Sequence, residues 1–194
     1  MSGLVSGQRV TRVDDRVMAR LSDQPTPPGI LAVVRTPDTG GAPSVDGAFL
    51  VLDAVSDPGN VGTLIRTATA LGVGVVSIGG ADPFGPKAVR ASAGTCYRAR
   101  IHRVDSLGAA EASLRAGGRP LLGLAAEGEQ SLHDAAAGLV DGRFILVVGA
   151  EPHGIAAGTR TVLDGLVRIP MQGDVESLNV AAAGAIALYA LTGP

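Results

Sequence analysis

From Phe49 onward, short runs of Val, Leu and Ile alternate with Ala-rich segments of helical length, and this alternation restricts the possible folds most. "FLVLDAV" (49–55) reads as a buried strand, "SDPGN" as a turn, and "VGTLIRTATALG" as a helix ending at Gly72. "VGVVSIGG" is the next strand, "PKAVRASAG" a helix, and "YRARIHRV" an alternating strand with one polar face. Helix "SLGAAEASLRAGG", strand "RPLLGLAA" and helix "SLHDAAAG" follow. Strand "RFILVVGA", a helical turn in "GTRTVLDG", and a short strand "LVRIPM" lead to a terminal helix that begins at Ser177. Apolar runs without polar alternation suit strands covered on both sides. Strand and helix in strict succession predict an α/β domain with a mainly parallel sheet and helices on both faces.

Residues before Phe49 break this rhythm. "RVTRVDDRVMARLSD" reads as a strand end and a short helix, "QPTPPG" as a stiff link, "ILAVVRTP" as a short apolar strand, and "DTGGAPSVDG" as a polar loop. Aromatic residues make up only 3% of a chain that is 46% hydrophobic, so the core must come from Val, Leu, Ile and Ala. The single cysteine, Cys96, excludes a disulfide framework within the chain and any cysteine-based zinc cluster, and fits a reducing cytoplasm. No apolar run reaches the length of a membrane span, and no apolar signal segment opens the sequence. The formal charge of −2 argues against a free-standing RNA binder, since neutralising phosphates supplies most of such affinity. Lys87 is the only lysine. An arginine bias suits bidentate phosphate contacts, but it reads first as the mark of a genome rich in G and C.

In parallel sheets, ligands bind beyond the carboxyl ends of the strands. Three predicted strand ends carry unusual polar content: 53–66, 147–155 and 169–179. In the first, Asp57-Pro58-Gly59 reads as a turn, and Asn60 as either a helix cap or a functional amide. Val61, Leu64, Ile65, Ala68 and Leu71 form the helix's apolar stripe, with Arg66 off its centre, either solvated or facing a ligand. In the second, Glu151 follows a buried strand directly, so its charge needs a partner or water. Gly149 and Gly154 beside it allow close backbone approach, and His153 reads as a loop residue. In the third, Ser177 is placed to cap the terminal helix, with Asn179 in its first turn. Ile169, Met171 and Leu178 stand where a flat, uncharged ring would sit, read at its edge by loop backbone groups. A cap and a core contact explain Ser177 and Leu178 but not the flanking Glu176 and Asn179.

Conventional nucleotide signatures are missing. There is no P-loop, the glycines of "GVGVVSIGG" have the wrong spacing for a dinucleotide fingerprint, and no Gly-x-Ser-x-Gly elbow occurs. His102, His133 and His153 lack metal-ligand spacing, so no metal is expected.

Taken in order, "DPGNVGTLIRTATALGV", "VVGAEPHGI" and "IPMQGDVESLNVAAAGAIAL" resemble the three signature motifs of the SPOUT methyltransferases, in the SpoU or TrmH-type branch. The resemblance covers about residues 16–191, and "RLSDQPTPPGILAVV" is similar to the linker preceding the catalytic domain in that branch. It implies a catalytic domain over 46–194 with a C-terminal deep trefoil knot, and residues 1–45 as a linker or remnant of an N-terminal substrate-binding domain. It also implies S-adenosylmethionine as cofactor, RNA as partner, and a homodimer formed through the knot and the terminal helix. The expected reaction is methyl transfer to a ribose 2′-oxygen, on ribosomal RNA given the linker. Transfer RNA, a small molecule, or a knotted binding dimer without catalysis are the alternatives.

By resemblance, Asn60, Arg66, Glu151, Ser177 and Asn179 are the catalytic set, with Arg66 near the acceptor hydroxyl. Gly149, Ala150, Glu151, Ile169, Met171, Ser177 and Leu178 enclose the cofactor. The resemblance often assigns the acceptor's proton to the arginine. Because a guanidinium stays protonated near neutral pH, a nearby phosphate is the alternative acceptor, with Arg66 orienting it, and either version requires Arg66 at the acceptor. The second motif departs from the family's Glu-Gly-x-Gly: Glu151-Pro152-His153-Gly154 stiffens the loop and removes an N–H.

Overall fold

A computed structural model describes residues 9–41, 43, 46–150, 154–173 and 177–193. The chain divides into two compact units, 1–36 and 37–194. In the first, helix α1 (Asp15–Leu21) is capped by Asp14, whose side chain accepts from the Val17 N–H at 2.8 Å. None of its residues is buried. The expected strand at 30–37 is not formed. A strand needs a neighbour for its N–H and C=O groups, and here Ile30, Leu31, Val33 and Val34 are all exposed.

The second unit alternates as its sequence predicts, except that a two-residue strand, Gln130–Ser131, follows the strand Leu121–Leu124 with no helix between them. Its strands are β1 (Phe49–Asp53), β2 (Gly74–Ile78), β3 (Ile101–Val104), β4 (Leu121–Leu124), β5 (Gln130–Ser131), β6 (Ile145–Gly149) and β7 (Gly165–Arg168). Between them run α2 (Pro58–Ala70), α3 (Pro86–Ala91), α4 (Leu107–Arg115), α5 (Leu132–Ala137) and α6 (Ala157–Arg160), and α7 (Val180–Thr192) closes the chain. The seven strands form one sheet in the order β3-β2-β1-β6-β4-β7-β5, and every pairing between them is parallel. At the centre, Phe49 to Asp53 align with Ile145 to Gly149.

Both faces of this sheet are covered, which is why β1 is apolar from Phe49 to Leu52 and β6 from Ile145 to Val148. Leu50, Leu52, Leu146 and Val148 join a core with residues of α2, α5 and α7, such as Leu64, Ala135 and Leu188. Their neighbours Phe49, Val51, Ile145 and Val147 face the opposite way, onto Leu107, Ala110 and Leu114 of α4. Each buried side chain of this size contributes about 1.5–3 kcal/mol. The short strand β3 runs only as far as β2 can pair with it, Val75 to Ile78. The segment expected to begin it, at Tyr97, is instead a 3-10 turn, Thr95–Tyr97, after a left-handed Gly94.

Two helix starts differ from expectation. Helix α2 begins at Pro58, with Asp57 as its cap, accepting from the Asn60 N–H at 2.9 Å. Proline at the first helical position loses no hydrogen bond there, so the helix opens three residues earlier than a cap at Asn60 requires. Asn60 is thereby freed from capping. The terminal helix α7 begins at Val180, not Ser177, and its cap is Asn179. The Asn179 Oδ1 accepts from Ala181 N at 2.9 Å and Ala182 N at 3.3 Å. Close packing of α7 on α2 depends on Gly184, where a Cβ would come within 2.4 Å of Leu64 Cδ2.

Candidate active site

Strands β4, β6 and β7 are neighbours or near neighbours in the sheet, and their carboxyl ends meet the start of α7 around a cavity of about 580 Å³. Leu124 to Glu127 enter from the end of β4, Val148 to Ala150 from β6, Ile169 and Met171 from β7, and Ser177 to Val180 from the lead into α7. Ligand cavities commonly span about 300–1,000 Å³ and combine an apolar lining with a few polar groups. The floor here is Leu124, Val148, Ile155, Ile169 and Val180.

The loop after β6 is shaped by a tight return. Gly154 N–H donates to Ala150 C=O at 2.6 Å, and Gly154 takes a positive φ of 66°. A Cβ on Gly149 would lie 2.1 Å from Gly154 C and 2.3 Å from Ile155 N. Glycine at 149 therefore makes room for the chain's own return strand, where the sequence suggested room for a ligand. The buried Asp53 at the end of β1 secures the far side of this loop, its Oδ2 accepting from Ala156 N at 2.8 Å.

The opposite wall is the loop joining β4 to β5. Ala125 N–H donates to Val167 C=O at 3.0 Å, and Arg168 Nη1 donates to the Gly128 carbonyl at 2.6 Å. A Cβ on Gly128 would meet Val167 C at 2.5 Å, so this loop lies directly on the β7 backbone. Glu127 projects from it to Arg160 of α6, Nη2 to Oε1 at 2.6 Å. Its own backbone N–H first, and the Arg160 guanidinium second, hold the Glu127 carboxyl below the usual carboxylate range.

Six of the residues expected to enclose a cofactor, Gly149, Ala150, Ile169, Met171, Ser177 and Leu178, line this cavity, and so does Asn179. Asn60 is brought to its edge by a hydrogen bond: Asn179 Nδ2 donates to Asn60 Oδ1 at 3.2 Å, across 119 residues of sequence. The first and third motifs thus touch through two amides. Arg66 is not part of the lining; it stands exposed on α2 and makes no hydrogen bond or ion pair with a described residue. Nearby, Asp57 pairs with Lys87 at 2.9 Å. The Lys87 bond, then the Asn60 N–H, hold its carboxyl below the ordinary range. Glu151, Pro152, His153 and Glu176 lie outside the described residues. Sequence reasoning missed Asp53, Glu127 and Arg160. Only Asp53 left a signal, as an acid closing an apolar strand.

Comparison with known proteins agrees with this arrangement. A 23S rRNA (guanosine-2′-O-)-methyltransferase RlmB of Xanthomonas campestris is 39% identical over 142 residues, 72% of this chain and 56% of that protein. The chain thus spans little more than half of that relative's length. The 23S rRNA (guanosine(2553)-2′-O)-methyltransferase RlmP of Bacillus subtilis is 32% identical over 194 residues, covering 99% of this chain and 76% of that one. Among solved structures, the SpoU methyltransferase AviRb from Streptomyces viridochromogenes, in complex with AdoMet, superposes with a TM-score of 0.67. It is 33% identical, over 75% of this chain and 56% of that one. A sequence model of the SpoU rRNA methylase family matches residues 47–189, which include β1 to β7 and all three motif loops. The chain belongs to the SpoU rRNA methylase family.

Proposed function

We propose that this chain is an S-adenosylmethionine-dependent RNA 2′-O-ribose methyltransferase acting on ribosomal RNA. The observation that carries the reading is the Asn179–Asn60 contact at the edge of an otherwise apolar cavity. It joins a ligand pocket to the helix bearing Arg66, which supports a cofactor and an acceptor served by one region of the chain.

The described residues fit the cofactor. Leu178, Ile169 and Met171 offer apolar contact to an adenine ring, and Gly149 and Ala150 line the cavity with them. When bound, S-adenosylmethionine supplies an activated methyl group on a sulfonium sulfur. The chain supplies alignment, which accounts for much of the acceleration in a displacement between two held reactants. Arg66, charged and unattached, holds the phosphate beside the acceptor ribose and stabilises negative charge developing on the 2′-oxygen, while that phosphate takes the proton. Asn179 and Asn60 place amide groups at the cavity's edge, and Ser177 lines the same cavity. By the family resemblance, Glu151 is the second-motif acid of the proposed catalytic set.

Strand order supports a trefoil knot. The chain leaves β5 at the sheet's edge, crosses to β6 beyond β4, and returns as β7 between β4 and β5. Ile186 and Tyr189, 46% and 63% exposed on α7, support a homodimer through that helix, since large apolar side chains in one patch favour a protein partner. The names of the curated relatives support ribosomal RNA as the substrate class.

Calorimetry with S-adenosylmethionine, followed by transfer of a labelled methyl group to ribosomal and transfer RNA, tests the reading. Binding at about one site per chain and a labelled ribose in ribosomal RNA are expected. No binding would overturn it, binding without transfer would indicate a non-catalytic module, and label in transfer RNA would change the substrate. Leu178→Arg should weaken the cofactor at least about tenfold by placing a cation against the adenine site. Leu178 is 36% exposed, so folding should be retained, and unchanged affinity would remove it from the site.

A further inference from the structure

Chemically, the cavity lining is of two kinds. Its floor is apolar, and among the described lining residues only Glu127 and Arg160 carry charge. They come from opposite walls, Glu127 on the loop after β4 and Arg160 at the last position of α6. Arg160 Nη2 meets Glu127 Oε1 at 2.6 Å, and Nε donates to the Ile155 carbonyl at 3.2 Å. Their side chains are 37% and 58% exposed, which puts the pair at the rim, partly in water.

An ion pair so exposed contributes little to folding. Its chemistry toward a ligand is more specific. Arg160 Nη1 makes no hydrogen bond with a described residue, and a carboxylate accepts several bonds at once. The pair therefore offers a donor for an anion beside an acceptor for a cation. A group carrying an ammonium and a carboxylate on one carbon matches both. Inserting it leaves every charge with an opposite neighbour, and at a solvated rim the desolvation cost is small.

We infer that Glu127 and Arg160 together bind the α-amino acid end of the S-adenosyl ligand, its ammonium at Glu127 and its carboxylate at Arg160. This rests on the reading that the cavity holds such a ligand. Leu178, Ile169 and Met171 then hold the base, and the charged pair distinguishes ligands that keep the amino acid end from those that have lost it.

Two thioethers separate these contributions: S-adenosylhomocysteine carries the amino acid end, and 5′-methylthioadenosine lacks it. Calorimetry on the whole chain should show Arg160→Ala and Glu127→Gln each weakening S-adenosylhomocysteine about tenfold, in keeping with one lost charge-assisted hydrogen bond. Methylthioadenosine should change by less than about twofold, because its contacts are with the apolar lining at Leu178, Ile169 and Met171. Equal losses for both ligands would overturn the inference, making the pair a clip between the cavity walls. Unchanged affinity for both would overturn it as well. If the unaltered chain bound neither ligand, the cofactor reading itself would fall.

Discussion

Arg66→Ala is expected to lower methyl-transfer turnover by on the order of 10²–10³, the usual loss when a donor to a developing oxyanion is removed. Cofactor affinity should stay within about twofold, because Arg66 is not among the residues lining the cavity. Stability should hardly change. The side chain is exposed and forms no hydrogen bond or ion pair with a described residue, and surface substitutions of that kind fall within about 0.5 kcal/mol. One variant thus separates chemistry from folding and from cofactor binding. Arg66→Lys adds a finer test: it keeps the charge but loses the planar fork, so recovery should be partial. Single-turnover transfer to RNA alongside calorimetry gives both readings, and normal turnover in the alanine variant would remove Arg66 from the mechanism.

Gly149→Ala should have the largest effect on the scaffold. The new Cβ would come within 2.1–2.3 Å of three backbone atoms, Gly154 C, Gly154 O and Ile155 N. Backbone cannot swing aside as the tip of a leucine can, so Gly154 and Ile155 must shift together. Overpacking of this type costs about 1–3 kcal/mol, and for a chain of this size about 2 kcal/mol lowers Tm by roughly 4–8 °C. The displaced segment also lines the cavity, so S-adenosylhomocysteine affinity should fall with Tm. Gly184→Ala is the informative contrast. There the nearest atom is Leu64 Cδ2, the movable end of a side chain, and cofactor affinity should be spared. Unchanged melting and binding in Gly149→Ala would mean that the return loop has more freedom than its 2.6 Å Gly154–Ala150 hydrogen bond suggests.

Most of the sheet was legible because strands buried on both faces leave an unambiguous apolar record, as "FLVLD" and "ILVVG" do. The segment "ILAVVRTP" leaves the same record but forms no strand, since local sequence does not say whether a pairing partner exists. Helix starts were misplaced where two cap-like residues compete. Asp57 prevailed over Asn60 because proline suits the first helical position. At the last helix, Asn179 prevailed over Ser177 because its amide reaches two backbone N–H groups. Of the candidate site, the motif loops were readable as clusters of polar residues at strand ends. Glu127 and Arg160 were not, since each is an ordinary charged residue in a loop or short helix until folding sets them 2.6 Å apart.

The two-amide contact at the cavity's edge fixes a direction as well as a distance. Because the Asn179 oxygen is committed to the first turn of α7, its nitrogen must be the partner for Asn60. Asn60 must therefore turn its oxygen inward, toward Asn179, and leave its NH₂ as the group available to whatever approaches. A free asparagine is indifferent, able to present either end. Here the hydrogen-bond polarity of a helix start is handed through one side chain to the next, and Asn60 reaches the edge of the site already set as a donor.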